Sequence, residues 1–366
     1  DILRHGAGRN DAILFAAAPI FGQAAPAAPV HDPRIKQLVD SLGQVKMIRE
    51  TALSPDGQLI EWDISGHGES DIEVAPLDNP SAAHHLTACA SSNHGQESNA
   101  VFSPNSQQLA FFSNCNAEHK TAIYLAGSSG SSAPHQLVQL NGYAKGMQWS
   151  PDGKHLTFLY VEGATRPSGA LAAEKPPSGV IGVEGLEVQR VANVDVATGQ
   201  LTQITPPHLH VFEFDWSPVS SRLVYVAAPP PGENNWWIAK LYPQRPGQEP
   251  TAILDPQTVT GALHGLQIAV PRWSPDGQRI AFIGGLMSDQ GSTGGDIYVM
   301  PAAGGQPEDV TPDRHASPAW FEWLGDQQMG VAEIRGGSSH LFLYDLQSQQ
   351  ESTDYNLTLP GSIGAG

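Results

Sequence analysis

Trp273-Ser274-Pro275-Asp276-Gly277-Gln278-Arg279-Ile280-Ala281-Phe282-Ile283 reads as the end of one strand, a tight turn and a second, mostly apolar strand. Proline presets φ for the first central position of a turn, and Asp-Gly tolerates the unusual backbone that follows. One such hairpin cannot bury its own apolar faces. The chain supplies partners by repeating the unit. Leu53-Ser54-Pro55-Asp56-Gly57, Phe102-Ser103-Pro104-Asn105-Ser106, Trp149-Ser150-Pro151-Asp152-Gly153 and Trp216-Ser217-Pro218-Val219-Ser220 are copies, and Trp323-Leu324-Gly325-Asp326 is a degenerate one. Measured at the serine position, successive copies lie 49, 47, 67, 57 and 50 residues apart.

Each anchor precedes a segment rich in β-branched and aromatic residues: 59–64, 109–112, 156–161, 223–227, 280–283 and 329–334. A third strand is expected at 71–77, 121–126, 191–196, 235–241, 296–300 and 341–346. A fourth leads toward the next anchor, as in Leu201-Thr202-Gln203-Ile204-Thr205. Four antiparallel strands at this period predict an all-β propeller. Six repeats are visible, and a seven-bladed ring cut short is the alternative. Phe102, Trp149, Trp216 and Trp273 share one position in the unit. A large flat side chain there fills the gap between blade faces, a simpler reading than ligand stacking.

The propeller is expected over 49–366, with a largely loop insertion at 163–190. A short helix is expected within 32–48, where Ile35, Leu38, Val39 and Leu42 recur at helical spacing. Residues 1–31 resemble a signal peptide with a Pro/Ala spacer: Arg4 and Arg9 precede the apolar run 12–21. That run is too short to span a bilayer, and no other segment is apolar enough. Export to a periplasmic or extracellular space follows. There Cys89 and Cys115 could pair, whereas in a cytosol they would stay reduced. The net charge of −18 argues against nucleic-acid binding, which needs clustered Lys and Arg.

Motifs for chemistry are missing. No G-x-S-x-G is present, and Gly127-Ser128-Ser129-Gly130 has the wrong spacing for a nucleophile elbow. No phosphate-cradling glycine loop occurs. Neither a catalytic residue, a cofactor nor a metal site is predicted. His84-His85 would face opposite sides of a strand, and Cys89 with Cys115 offers too few ligands for zinc. His208 and His210 could share a strand face near Glu213 and Asp215, though a polar loop is the plainer reading. The repeats show no histidines or carboxylates at equivalent positions, which weighs against an active site on a central channel. Glu184 and Glu187 in the insertion would share a face if briefly helical. Such a pair could hold a peptide's ammonium, although solvated loop carboxylates explain them as well.

The S-P-D-G turn with its following apolar strand resembles the TolB-type propeller repeat. Glu174-Lys175-Pro176-Pro177-Ser178-Gly179-Val180-Ile181-Gly182, then Val194-Asp195-Val196-Ala197-Thr198-Gly199, is similar to the N-terminal propeller of bacterial prolyl-oligopeptidase-family peptidases. These are relatives of dipeptidyl- and acylaminoacyl-peptidases. The resemblance implies a non-catalytic propeller that gates access and binds peptide for a C-terminal α/β-hydrolase domain. That domain would carry the Ser, Asp and His, so no catalytic residue transfers to this chain. The family's acidic pair for a peptide N-terminus maps loosely onto Glu184 and Glu187. A self-contained TolB-like periplasmic propeller that binds a protein partner is the alternative. Leu359 to Gly366 reads as the start of another blade.

Overall fold

The Ser-Pro turns adopt the local geometry their residues favour. In the computed structural model, which describes residues 33–42, 45–66, 69–89, 95–130, 132–164, 186–286 and 294–357, the turns at Ser54, Ser103, Ser150 and Ser274 are near-copies of one another, whereas at Ser217 the Ser220 hydroxyl donates to the serine instead. The Ser54 hydroxyl donates to Asp56 Oδ1 (2.6 Å) and accepts the Leu59 amide (2.8 Å). The Gln58 amide donates to the same carboxylate at 3.1 Å. Gly57 sits at φ 69°, where a side chain would be strained. Ser150–Asp152 (2.7 Å) and Ser274–Asp276 (2.6 Å) repeat the bond. The serine hydroxyl, before any other cause, holds Asp56, Asp152 and Asp276 below the usual carboxylate range.

These turns join strands into six antiparallel sheets in chain order. The first holds β1 (Met47–Leu53), β2 (Leu59–Gly66), β3 (Glu69–Pro76) and β4 (His84–Leu86). The second holds β5 (Glu97–Phe102), β6 (Gln108–Ser113), β7 (Ala122–Gly127) and β8 (His135–Gln139). The third has β9 (Gly142–Trp149), β10 (His155–Glu162), β11 (Arg190–Asp195) and β12 (Leu201–Gln203). In the fourth, β13 (His210–Trp216), β14 (Leu223–Ala228) and β15 (Lys240–Gln244) are extended by a single bridge between Leu241 and Leu254. The fifth has β16 (Ile268–Trp273), β17 (Arg279–Gly284), β18 (Asp296–Pro301) and β19 (Glu308–Asp309). The sixth has β20 (Ser317–Gly325), β21 (Gln328–Arg335), β22 (Ser338–Asp345) and β23 (Gln350–Leu357). The fold is a six-bladed propeller.

One expected strand is misplaced. Gly232–Asn235 forms a helical turn and Trp236–Ile238 a 3-10 turn, so the third strand of the fourth blade begins only at Lys240. Gly232-Glu233-Asn234-Asn235 has no alternating apolar side chains to bury in a sheet. Trp236 packs on the core while Trp237 stays exposed.

Five apolar cores fill the five junctions between consecutive sheets, and each takes in one anchor aromatic. Phe102 joins Ile72, Val74 and Phe111 between the first and second sheets. Trp149 lies with Phe112 and Phe158, Trp216 with Val191 and Tyr225, and Trp273 with Val226 and Phe282. Trp323 lies with Ile283, Phe321 and Phe342. Burying one such side chain contributes about 1.5–3 kcal/mol. Trp149 Nε1 also donates to Val101 O of the preceding blade at 3.0 Å. The Arg222 and Arg279 guanidinium groups lie over Trp273 and Trp323 at 5.2 and 5.1 Å.

The sixth junction differs. Among the described residues no comparable core joins the last sheet to the first. Met47, Ile48 and Leu53 on β1, and Leu324 on β20, are exposed. Every sheet is built from consecutive strands among the described residues.

A separate N-terminal unit contains helix α1 (Pro33–Leu42), with a Lys36–Asp40 ion pair at 2.7 Å one turn apart. The leader expected at 1–31 and the tail 359–366 lie outside the described residues. No helix among the described residues is long and apolar enough to cross a membrane.

Candidate functional site

Antiparallel order gives the ring two unlike ends. First-to-second and third-to-fourth strand turns emerge at one end, where the Ser-Pro motif repeats. Second-to-third connections and blade-to-blade crossovers emerge at the other. The strands that border the connections 163–189, 229–239, 114–121 and 285–295 end there, and these connections share no common sequence pattern; residues 165–185 and 287–293 of them lie outside the described residues. Repeated sequence builds the frame, and connections without a repeat are where a rigid scaffold positions binding residues.

Glu184 lies outside the described residues. Glu187 is half-buried in the irregular segment leading into β11, and no helix includes it. Cys89 and Cys115 are joined as a disulfide with Cα atoms 4.9 Å apart. The bridge fastens the segment after β4 to the segment after β6, across the first two blades at the loop end.

His208 and His210 are not brought together. His208 precedes β13, is exposed and faces Glu249 Oε1 at 3.3 Å. His210 is fully buried: its Nδ1 accepts the Gln189 amide at 3.3 Å, and its ring fills the space beside Gly232. Burial, followed by the nearby Lys145 charge, pushes its pKa down to about 4. A neutral imidazole locking the base of the insertion to the fourth blade is structural.

The innermost strands hold a feature absent from the expectations. Each contains a register shift near the position four residues before its anchor. In the first five repeats that position holds Glu50, Asn99, Gly146, Glu213 and Val270. Asn99, Gly146 and Val270 have φ of 56°, 64° and 54°. A bulge leaves ladder groups unpaired, and side chains of the preceding blade satisfy them. Asp63 Oδ2 accepts the Asn99 amide (2.7 Å), and Asn99 Oδ1 accepts the Met147 amide (2.6 Å). Glu213 accepts the Val270 amide, and Asp215 Oδ2 accepts the Trp273 amide at 2.8 Å.

This corrects the expectation of no equivalent carboxylates, since Glu50 and Glu213 occupy one repeat position. The signal was a polar or glycine residue four before the serine in four of the first five repeats, with Val270 breaking the pattern. Burial is the leading cause that pushes Asp63 up to about 7 and Asp215 to about 6, and that raises Glu322. Asp63 and Asp215 could exchange protons near neutrality. Asp63 Oδ2 and Asp215 Oδ2 are nonetheless committed to backbone amides, and Glu322 faces Arg272, whose Nε lies 3.6 Å away, while Asp63 Oδ1 is buried without a partner. They stitch neighbouring blades rather than converge on one reactive point.

No protein-family model and no curated protein sequence matches the chain. Solved structures do. Prolyl oligopeptidase B of Galerina marginata, bound to a 35mer hydrolysis and macrocyclization substrate, aligns with a TM-score of 0.58 at 12% identity. The match covers 88% of this chain and 46% of that one, so this chain spans about half the length of that peptidase. The β-propeller domain of the Trilobed protease from Pyrococcus furiosus, described as having an open velcro topology, aligns at 0.55 with 12% identity. It covers 85% of this chain and 84% of that domain. TolB of Acinetobacter baumannii reaches 0.47 at 16% identity, over 87% and 66% of the two chains. At these identities the likeness to the first two establishes the propeller fold alone.

Proposed function

We propose that this chain is the non-catalytic propeller of an exported prolyl-oligopeptidase-like serine peptidase. It gates access and binds peptide for an α/β-hydrolase domain that carries the nucleophile. The observation that carries this reading is the concentration of long, non-repeating connections on one end of a rigid ring. The sixth junction, which has no comparable core among the described residues, supports it, because such a seam is a weak point through which a chain could enter. The Cys89–Cys115 bridge supports an oxidising compartment. Glu184 and Glu187 remain the proposed contacts for a peptide's ammonium.

The test compares the whole natural gene product with the 366-residue chain by itself on aminoacyl- and peptidyl-nitroanilides. The expected result is cleavage by the whole product that serine-directed reagents abolish, and peptide binding without turnover by the chain alone. Turnover by the chain alone, or a whole product without peptidase activity, overturns the reading. The second reading is a self-contained TolB-like periplasmic propeller that binds a protein partner. It is favoured by the presence of six sheets among the described residues. A whole product that cleaves nothing but retains one partner on cross-linking supports it.

A further inference from the structure

Three residues far apart in sequence meet where the first two blades join at the loop end. Asp71 lies on β3 and His85 on β4, and His85 pairs with Glu73. Asp71 and Glu73 share a strand face, so Asp71 is the diagonal neighbour of His85 across the ladder. His85 Nε2 stands 3.4 Å from Asp71 Oδ1. Glu97 opens β5 of the next blade. The Ser70–Gln96 bridge and the Glu97 amide donating to Ser70 Oγ (3.0 Å) hold it against β3. One ligand atom from each of Asp71, His85 and Glu97 falls within 4.8 Å of the others.

The Glu97 carboxylate is built as a ligand would be. Its residue is fully buried. Oε1 accepts the Ala88 amide (2.7 Å) and the Ser113 hydroxyl (3.1 Å), which fixes the plane of the group. Oε2 is buried and accepts no hydrogen bond. A buried oxygen left without a partner is costly. Outer donors that orient a carboxylate are a regular feature of metal sites. Asp71 and His85 are partly exposed, which leaves a path for an ion and room for water to complete its coordination. Zinc bonds imidazole nitrogen and carboxylate oxygen at about 2.0–2.2 Å, so adjacent ligands of a tetrahedron stand about 3.4 Å apart. The His85–Asp71 separation already matches that edge.

We propose that Asp71, His85 and Glu97 bind a divalent transition-metal ion, zinc fitting best, which clamps the first blade to the second. One imidazole with two carboxylates suits zinc, with manganese as the harder competitor. Sequence reading discarded His84-His85 as a chelate because neighbours on a strand diverge. The actual partners of His85 come from β3 and from another blade.

The test uses the full chain, stripped with a chelator under non-reducing conditions, with free thiol measured to show that the disulfide is intact. Zinc chloride alone, and manganese chloride alone, are titrated by calorimetry, and cobalt is used for its coordination spectrum. One zinc per chain is expected, with a rise in melting temperature and a four- or five-coordinate cobalt spectrum. His85→Ala and Asp71→Asn alter partly exposed side chains, and each should weaken zinc by at least about tenfold. Glu97→Gln should do the same, and far-UV circular dichroism checks its fold. Absence of stoichiometric zinc and manganese binding overturns the proposal. So does undiminished zinc affinity in both His85→Ala and Asp71→Asn, which would place the ion on other histidines.

Discussion

Glu61 makes the stability of this propeller fall as pH rises, and replacing it with glutamine should remove that fall. The side chain is 1% exposed on β2, and its Oε2 accepts no hydrogen bond. Burial, then the like charges of Asp63 and Glu50, pushes its pKa from 4.5 up to about 9. The folded protein therefore keeps a proton that the unfolded chain releases between those values. The stabilising contribution is fully present below about pH 4.5 and is lost as pH climbs toward about 9. Each pH unit inside that window removes about 1.4 kcal/mol. From pH 5 to pH 8 the loss attributable to Glu61 approaches about 4 kcal/mol, a large part of a typical domain's 5–15 kcal/mol. Urea unfolding followed by tryptophan fluorescence at pH 5, 6, 7 and 8, at constant ionic strength, measures it. Wild type and Glu61→Gln should be closest at pH 5, where both side chains are neutral, and diverge steadily in favour of the variant by pH 8. Stability curves that stay parallel across this range would refute the reasoning. Asp63, raised to about 7, adds a slope of the same sign that ends near neutrality in both proteins.

Two further outcomes follow from burial and charge. Leu109→Ala, in the filled first junction, should cost about 2–5 kcal/mol, whereas Leu53→Lys at the unfilled sixth should stay within about 0.5 kcal/mol; equal losses in denaturant melts would mean that the ring closes on Leu53. Arg335 and then Arg314 hold Glu351 down at about 2, so its contribution is present above about pH 4.5 and is lost as pH falls toward 2. Solvent screening keeps that contribution to roughly 1 kcal/mol at pH 7. Glu351→Gln should therefore be slightly less stable at neutrality and indistinguishable from wild type near pH 2, and a gap that persists in acid would argue against the ion pairs as its cause.

Local pattern determined much about this protein. The Ser-Pro-Asp-Gly turns, the alternation that follows them and the aromatic before them are written in contiguous residues. Each turn needs only its own side chains, as the Ser54–Asp56 bond shows. The propeller class, the six repeats and the packing role of Trp149, Trp216 and Trp273 could therefore be read directly, while the choice between six blades and a seven-bladed ring cut short could not. The departures arise where a residue's partner belongs to another blade. The polar residue at Asn99 is visible in the repeat, but the bonds that accompany its positive φ are made to Asp63 of the preceding blade and Met147 of the next. The separation of His208 from His210 depends on where β13 starts and on the space left beside Gly232. The meeting of Asp71, His85 and Glu97, and a sixth junction without a comparable core among the described residues against five filled ones, are properties of blades packed in a ring. A two-residue strand period determines which way a side chain points. Only the neighbouring sheet decides what it meets.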